Sequence, residues 1–135
     1  MIFVDTSFWV ALRNRSDSHH PEARELLSSP AVPPLLTTNH VIGETWTFLR
    51  RHAGHASAVA FLDEISRSER LAIEHVSEPL ESQALRWLRR HDEREYSFVD
   101  ATSFQVMSAS RINSALAFDG GFTAAGFIEV RPLGS

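Results

Sequence analysis

The sequence contains no cysteine, which excludes disulfide bonds, zinc–thiolate centres and cysteine nucleophiles. It contains no lysine either, since all 13 basic residues are arginines. No apolar run is long enough to cross a bilayer, and the N-terminus has neither the basic segment nor the small-residue cleavage site of a secretion signal. We therefore expect a cytoplasmic protein.

The sequence does contain enough apolar residues for one hydrophobic core. Because 43% of its 135 residues are hydrophobic, we expect a single domain over residues 1–135. The 17 acidic residues exceed the 13 arginines and give a net charge of −4, which argues against a broad nucleic-acid footprint. Arginines cluster at Arg50-Arg51 and at Arg89-Arg90, where they could contact phosphate. Each cluster also fits a solvated helix face.

Short apolar runs alternate with helix-like segments along the chain. Strands are predicted over residues 2–5, 35–37, 71–76, 114–118 (or from 112) and 127–130. Helices are predicted over residues 8–12, 21–27, 39–52, 56–66 and 98–110, with another beginning at Pro79 and a helical turn at 123–125. Strands separated by helices favour a parallel sheet. We predict an α/β three-layer domain, with a central parallel sheet of four to five strands and helices on both faces.

Two aspartates follow apolar strands directly. Asp5 ends the first predicted strand and Asp119 ends the fourth. Because the carboxyl ends of parallel strands share one edge of a sheet, the two side chains can reach one site although 114 positions separate them in the sequence. Each also has a structural interpretation, since Asp5 could cap a helix and Asp119 precedes a Gly-Gly turn.

Two further acids fall on predicted helices. Glu44 lies at the edge of an inward stripe, beside Val41 and Phe48, where a carboxylate needs a partner such as a salt bridge. Asp100 lies in the first turn of its helix and shares a face with Phe104. The helix dipole alone favours an acid at that position.

Together these four acids offer oxygen ligands and nothing softer. Asp5, Glu44, Asp100 and Asp119 would suit Mg²⁺, or Mn²⁺, and the sequence therefore predicts a metal-dependent hydrolase. Seven histidines are present, but none has zinc-site spacing. We interpret His19-His20 as a surface pair in a loop.

The order of these motifs resembles the PIN-domain ribonucleases, and chain length and order look most like the VapC-like toxins of bacterial type II toxin–antitoxin systems. The resemblance covers essentially the whole chain. It is carried by Val4-Asp5-Thr6-Ser7, by Glu44, by Ser97-Phe98-Val99-Asp100-Ala101, and by Ala117-Phe118-Asp119 with Phe122.

The resemblance implies that Asp5, Glu44, Asp100 and Asp119 are both catalytic and metal-binding, and that Ser7 is a supporting polar residue. The implied activity is an Mg²⁺- or Mn²⁺-dependent endoribonuclease that cleaves transfer or ribosomal RNA and inhibits translation. Because water would attack, the products should carry a 5′-phosphate and a 3′-hydroxyl. Many relatives have a further acid shortly after the fourth, whereas Gly120-Gly121 stands here. The number of metal ions, one or two, stays open.

The resemblance also implies a cognate VapB-like antitoxin that places a basic side chain in the acidic site, and a homodimer. The sequence offers a candidate apolar surface for such a partner, because more apolar residues stand on two short helices than one core face needs. These residues are Phe8, Trp9, Leu12, Trp46, Phe48 and Leu49. Each one could instead belong to the core.

The absence of lysine argues against two other classes of α/β protein in which an aspartate follows a strand. Phosphoacceptor receiver domains and haloacid-dehalogenase-like phosphatases both need a lysine, and the second class also needs an aspartate where Ser7 stands. The remaining alternative is a PIN-fold module that binds RNA or protein with little or no nuclease activity.

Overall fold

The computed structural model describes residues 1–134, in which five strands and seven helices alternate. The strands are β1 (Ile2–Val4), β2 (Leu35–Thr38), β3 (Leu71–Glu74), β4 (Ser114–Leu116) and β5 (Ile128–Glu129). The helices are α1 (Thr6–Arg13), α2 (His20–Ser28), α3 (Asn39–His52), α4 (His55–Arg67), α5 (Glu78–Arg90), α6 (Phe98–Ala109) and α7 (Gly121–Ala124). Within these residues, no helix has the length and apolar character needed to cross a membrane.

All five strands are parallel and lie in the order β3-β2-β1-β4-β5. The predicted fold class is confirmed, with the helices packed around the sheet. The chain first builds outward from β1 to β3 and then returns to place β4 on the other side of β1. Beyond the carboxyl ends of β1 and β4 the strand order therefore reverses, which is where open parallel sheets bind ligands.

The central strands are the buried ones. Every residue of β1 and β2 is buried, whereas the edge strands β3 and β5 are partly exposed. A buried side chain also ties the two central strands together, since the Thr37 hydroxyl donates to the Val4 carbonyl at 2.9 Å. This fixes the end of β1, the strand that leads into Asp5.

Local capping chemistry fixes where the helices around the site begin. The Asp5 carboxylate accepts from the Ser7 amide and caps α1, and the Thr38 hydroxyl accepts from the Val41 amide and caps α3. Ser97 and Asp100 form a reciprocal capping box at α6. The capping interpretation of Asp5 is thus correct.

The predicted apolar surplus on α1 and α3 is largely wrong. Phe8, Trp9 and Leu49 are buried, with 0%, 4% and 1% of their surface exposed. They pack in the core because α1 contacts both α2 and α3 and α3 contacts α4, so each helix buries more than one face. Leu12 and Trp46 are partly buried, and Phe48 alone of the six is exposed, at 36%.

Candidate active site

A pocket of about 440 Å³ opens beyond the carboxyl ends of β1 and β4, and five carboxylates line it. Asp5 arrives from β1, Glu44 from the second turn of α3, Asp100 from the first turn of α6, and Asp119 from the segment after β4. The structure thus brings together the four acids that the sequence singled out. The lining also includes Asp17, an acid that the sequence did not single out, together with Ser7, His19, Phe48 and Phe118. No arginine of residues 1–134 lines the pocket.

Asp5 is the most buried of the four carboxylates, with 2% of its surface exposed. Burial raises its pKa to about 7, and the negative charges of Asp119 and Asp100 add to that rise. Two hydrogen bonds from Ser7 oppose the rise, one from its hydroxyl at 2.7 Å and one from its amide at 3.1 Å. A neighbouring cation would stabilise the ionised form of a carboxyl group in these surroundings.

Asp100 combines a structural and an electrostatic role. Its Oδ2 accepts from the Ser97 amide at 3.0 Å, so the capping interpretation of this residue is correct. Burial nevertheless raises its pKa, and the charges of Asp119 and Glu44 raise it further, against the opposing hydrogen bonds from Ser97. Helix capping therefore does not satisfy this carboxylate fully.

Asp119 is exposed and belongs to the turn that begins α7. Its Oδ1 accepts from the Gly121 amide at 2.9 Å, and Gly120 has a φ of 81°, a conformation that glycine adopts without strain. The Arg94 side chain donates to the Asp119 carbonyl and lies beside Gly120. The turn interpretation of Asp119 is also correct, and its carboxylate still lines the pocket.

Ser7 connects the two strand ends that carry the aspartates. Its hydroxyl donates to Asp5 and accepts from the Phe118 amide at 3.0 Å. One side chain thereby fixes both the buried carboxylate and the backbone just before Asp119. The supporting role that the resemblance implies for Ser7 stays a prediction.

The pocket fits a divalent cation in donor type and in charge. Five carboxylates line it, and the buried Thr6 hydroxyl beside it has no hydrogen-bond partner within residues 1–134. In the same part of the chain, no three acidic or histidine side chains converge tightly enough to form a ready-made metal cage. Instead, Asp5, Asp100 and Asp119 each accept from a nearby backbone amide. Mg²⁺ keeps much of its water shell and needs few protein ligands, so this arrangement is compatible with it.

The sequence missed His19, which it assigned to the surface. The His19 ring is only partly exposed and lies parallel to Phe118, with 4.4 Å between ring centroids and 4° between planes. Its Nδ1 is 3.1 Å from a Glu22 carboxylate oxygen, and Arg131 lies over the Phe118 ring. The one local signal was the i, i+3 spacing of His19 and Glu22 at the start of α2. His20 is partly buried as well, with its Nδ1 2.8 Å from the Ala11 carbonyl.

The sequence also missed Arg94. It contacts the Asp119 turn across 25 positions of sequence, from a charged loop that carries no periodic pattern. No signal in the sequence identifies it.

Comparisons with known proteins give one consistent picture. The family model described as "PIN domain" matches residues 2–128. The chain is 58% identical over 132 residues to the 23S rRNA-specific endonuclease VapC20 from two strains of Mycobacterium tuberculosis, covering 98% of this chain and 99% of theirs. A crystal structure of M. tuberculosis VapC20, described as a sarcin–ricin loop cleaving toxin, superposes with a TM-score of 0.92 at 57% identity. That match covers 98% of this chain and all of the other.

Proposed function

The chain belongs to the PIN-domain family, and from this membership we propose that it is an endoribonuclease toxin that cleaves ribosomal RNA and so inhibits translation. The observation that carries the proposal is the pocket that all four predicted carboxylates line, in a chain 58% identical over 132 residues to a 23S rRNA-specific endonuclease. The substrate that follows is 23S rRNA at its sarcin–ricin loop, the target in the description of the related crystal structure.

We further propose that Asp5, Glu44, Asp100 and Asp119 hold Mg²⁺ or Mn²⁺. When bound, the cation activates water and neutralises charge on the reacting phosphate. Ser7 keeps the Asp5 carboxylate and the Phe118 backbone in place. Ser97 and the Gly121 amide hold Asp100 and Asp119 through their hydrogen bonds. Water adds to phosphorus, the bond to the 3′-oxygen breaks, and the 3′-oxygen takes a proton, which leaves a 5′-phosphate and a 3′-hydroxyl.

The partner proposed for this site is a VapB-like antitoxin with a basic side chain that enters the pocket. The physical support is the raised pKa of both Asp5 and Asp100, since an arginine placed there relieves the same repulsion as a metal ion. Antitoxin and Mn²⁺ should then compete, each weakening the other by the same factor. We propose a homodimer as well, from family membership alone.

One observation favours the second candidate, a PIN-fold module that binds RNA without cleaving it. Within residues 1–134 the carboxylates do not form a converged metal cage. A single experiment separates the two functions. Purified protein is incubated with 23S rRNA and with an RNA hairpin of the sarcin–ricin loop, in Mg²⁺, in Mn²⁺ and in excess EDTA.

The endonuclease proposal expects one discrete cut in either metal, none in EDTA, and a 5′-phosphate end by mass spectrometry. Undiminished cleavage in EDTA would exclude the metal, and a 2′,3′-cyclic phosphate would exclude attack by water. RNA binding without any cut in either metal would favour the second candidate. For the antitoxin, the complex is titrated with Mn²⁺, and a partner affinity that stays constant over a wide metal range places the partner elsewhere.

A further inference from the structure

A second groove opens beside the acidic pocket, along α3 and toward the start of α6. Its volume is about 480 Å³, and its lining includes His40, Gly43, Phe48, Arg51 and His52. Glu44 and Phe48 line both the groove and the acidic pocket, so the two lie next to each other. An RNA strand whose reacting phosphate lies at the carboxylates can therefore extend into the groove.

The groove carries a flat aromatic platform. The rings of Phe48 and His52 stack at 4.1 Å between centroids, with 20° between their planes. The His52 Nδ1 is 3.0 Å from the Phe48 carbonyl, which holds the imidazole against the phenyl ring. Both side chains are exposed. Unpaired nucleobases stack on surfaces of this kind, and such stacking tolerates any base.

The groove differs from the acidic pocket in its charged residues, because an arginine lines it and only one acid does within residues 1–134. Arg51, His40 and His52 line it, and Glu44 is the one acid in the lining within residues 1–134. Among residues 1–134 no arginine lines the acidic pocket, and its carboxylates repel phosphate in the absence of a cation. The attraction for the RNA backbone is therefore on the groove side, where Arg51 is exposed and can bind phosphate in bidentate fashion.

We propose that this groove is a nucleotide subsite, which holds one unpaired nucleotide next to the cleaved phosphodiester. Its base stacks on the Phe48–His52 platform and its phosphate pairs with Arg51. The proposal deepens the endoribonuclease function and rests on it. A stacked aromatic pair beside an arginine favours RNA as the occupant over a peptide. The experiments below also detect the alternative occupants, which are an antitoxin tail and a second copy of this chain.

Direct binding tests the phosphate contact. An Asp5→Asn protein leaves the RNA intact, and the probe is a sarcin–ricin hairpin with 2-aminopurine placed in turn on each side of the cleavage position. With Arg51→Ala added, we expect affinity to fall roughly tenfold and the slope of log affinity against log salt to drop by about one. Arg50→Ala is the matched control, because Arg50 is exposed on the same turn and does not line the groove.

Quenching of 2-aminopurine tests the stacked base. We expect quenching on one side of the cleavage position only, and its loss in His52→Ala with a roughly tenfold weaker affinity. His52→Phe should restore both, because it keeps a flat ring and removes the imidazole nitrogens. In the cleaving protein, without the Asp5 change, His52→Ala should raise KM and leave kcat within about twofold.

Filling the groove is an independent test that does not reduce stability. A Cβ at Gly43 meets no atom within 4 Å, and glycine is a poor helix former, so Gly43→Ala and Gly43→Leu should both fold. Gly43→Leu should occupy the groove and weaken hairpin binding, whereas Gly43→Ala should bind as the parent does. Melting temperatures of both variants confirm that folding is intact.

The proposal is overturned if Arg51→Ala, His52→Ala and Gly43→Leu all bind the hairpin as the parent does. It is also overturned if they change only antitoxin affinity or the dimer mass in size-exclusion chromatography, because the groove then holds a protein. These results would leave wild-type cleavage intact and the proposed function standing. Failure of the wild type to cut any RNA would instead refute the endonuclease function, while the binding measurements would still decide what the groove holds.

Discussion

The floor of the acidic pocket, formed by Asp5, Ser7 and Asp100, is held differently from its rim, formed by His19, Phe118 and Asp119. Floor carboxylates accept hydrogen bonds from residues two or three positions away in the sequence. The rim combines one local hydrogen bond, from the Gly121 amide to Asp119, with distant contacts, since His19 stacks on Phe118 and Arg94 donates to the Asp119 carbonyl. Local capping thus fixes the two carboxyl groups whose pKa values are raised, and tertiary packing shapes the entrance around them.

We therefore expect substitutions in the floor and substitutions in the rim to have effects of different size. Removing a floor carboxylate changes the charge on which the chemistry depends. Removing a rim contact weakens the packing around the entrance, but the remaining contacts still stabilise it.

Substitution of the floor acids should have the largest effect on activity. We expect Asp5→Ala or Asp100→Ala to lower RNA cleavage by about a thousandfold or more, and the double variant to lose little beyond either single one, because the acids act as one unit. Asp63→Ala, an exposed acid on α4, is the control. Single-turnover rates on the hairpin measure this. Additive losses in the double variant would mean that the carboxylates act independently.

Stability in the absence of metal should fall as pH rises. Below about pH 4 Asp5 is protonated in both the folded and the unfolded chain; between pH 4 and 7 the unfolded chain ionises while the folded chain keeps its proton, since its pKa is about 7. The free energy of unfolding should therefore decrease across this window, by up to about 4 kcal/mol, and level off above it.

The Asp5→Asn protein removes that titration while it keeps an oxygen to accept from Ser7. In EDTA at pH 8 it should be more stable than the wild type, and at pH 4 the two should be equal. Urea unfolding at several pH values measures the difference. Mn²⁺ should raise the melting temperature of the wild type and not of this variant, because a ligand that binds only the folded state stabilises it. Parallel pH curves for the two proteins would contradict the raised pKa of Asp5.

Loss of the Ser7 hydroxyl should have an intermediate effect, because it joins the floor to the rim. Ser7→Ala leaves the Phe118 amide without its acceptor and removes a hydrogen bond from Asp5, which should cost about 1–3 kcal/mol of unfolding free energy. It should also raise the pKa of Asp5 further, so the pH window of destabilisation should extend upward. Ser66→Ala, on an exposed turn of α4, provides the comparison. An unchanged pH profile of stability in Ser7→Ala would mean that Ser7 does not affect the pKa of Asp5.

The smallest effect should come from the rim contact of Arg94. Arg94→Ala removes a hydrogen bond to the Asp119 carbonyl, and since one such bond contributes about 1 kcal/mol, we expect cleavage to fall by roughly tenfold at most. Stability should change by no more than about 0.5 kcal/mol, because the side chain is exposed. Arg89→Ala, exposed on α5, is the matched control. A loss as large as that of Asp5→Ala would place Arg94 among the essential residues.

The sequence determined the parts of this protein that depend on neighbours along the chain. Apolar runs ending in Asp5 and Asp119 predicted parallel strands, and parallel strands must end at one edge, so both aspartates line the pocket. The cap at Asp5 followed from hydrogen bonds to a residue two positions away. The absence of lysine and cysteine excluded other chemistries before any fold was known.

Which helix faces are buried, and which distant side chains meet, depends instead on tertiary packing. Phe8, Trp9 and Leu49 were expected as surplus and lie in the core, because helices packed on several neighbours bury more than one stripe. His19 was expected at the surface and stacks on Phe118, which lies 99 positions further along the chain. The desolvation that raises the pKa of Asp5 likewise comes from many residues that pack around it. Such effects arise from atoms gathered from the whole chain, and no local pattern in the sequence encodes them.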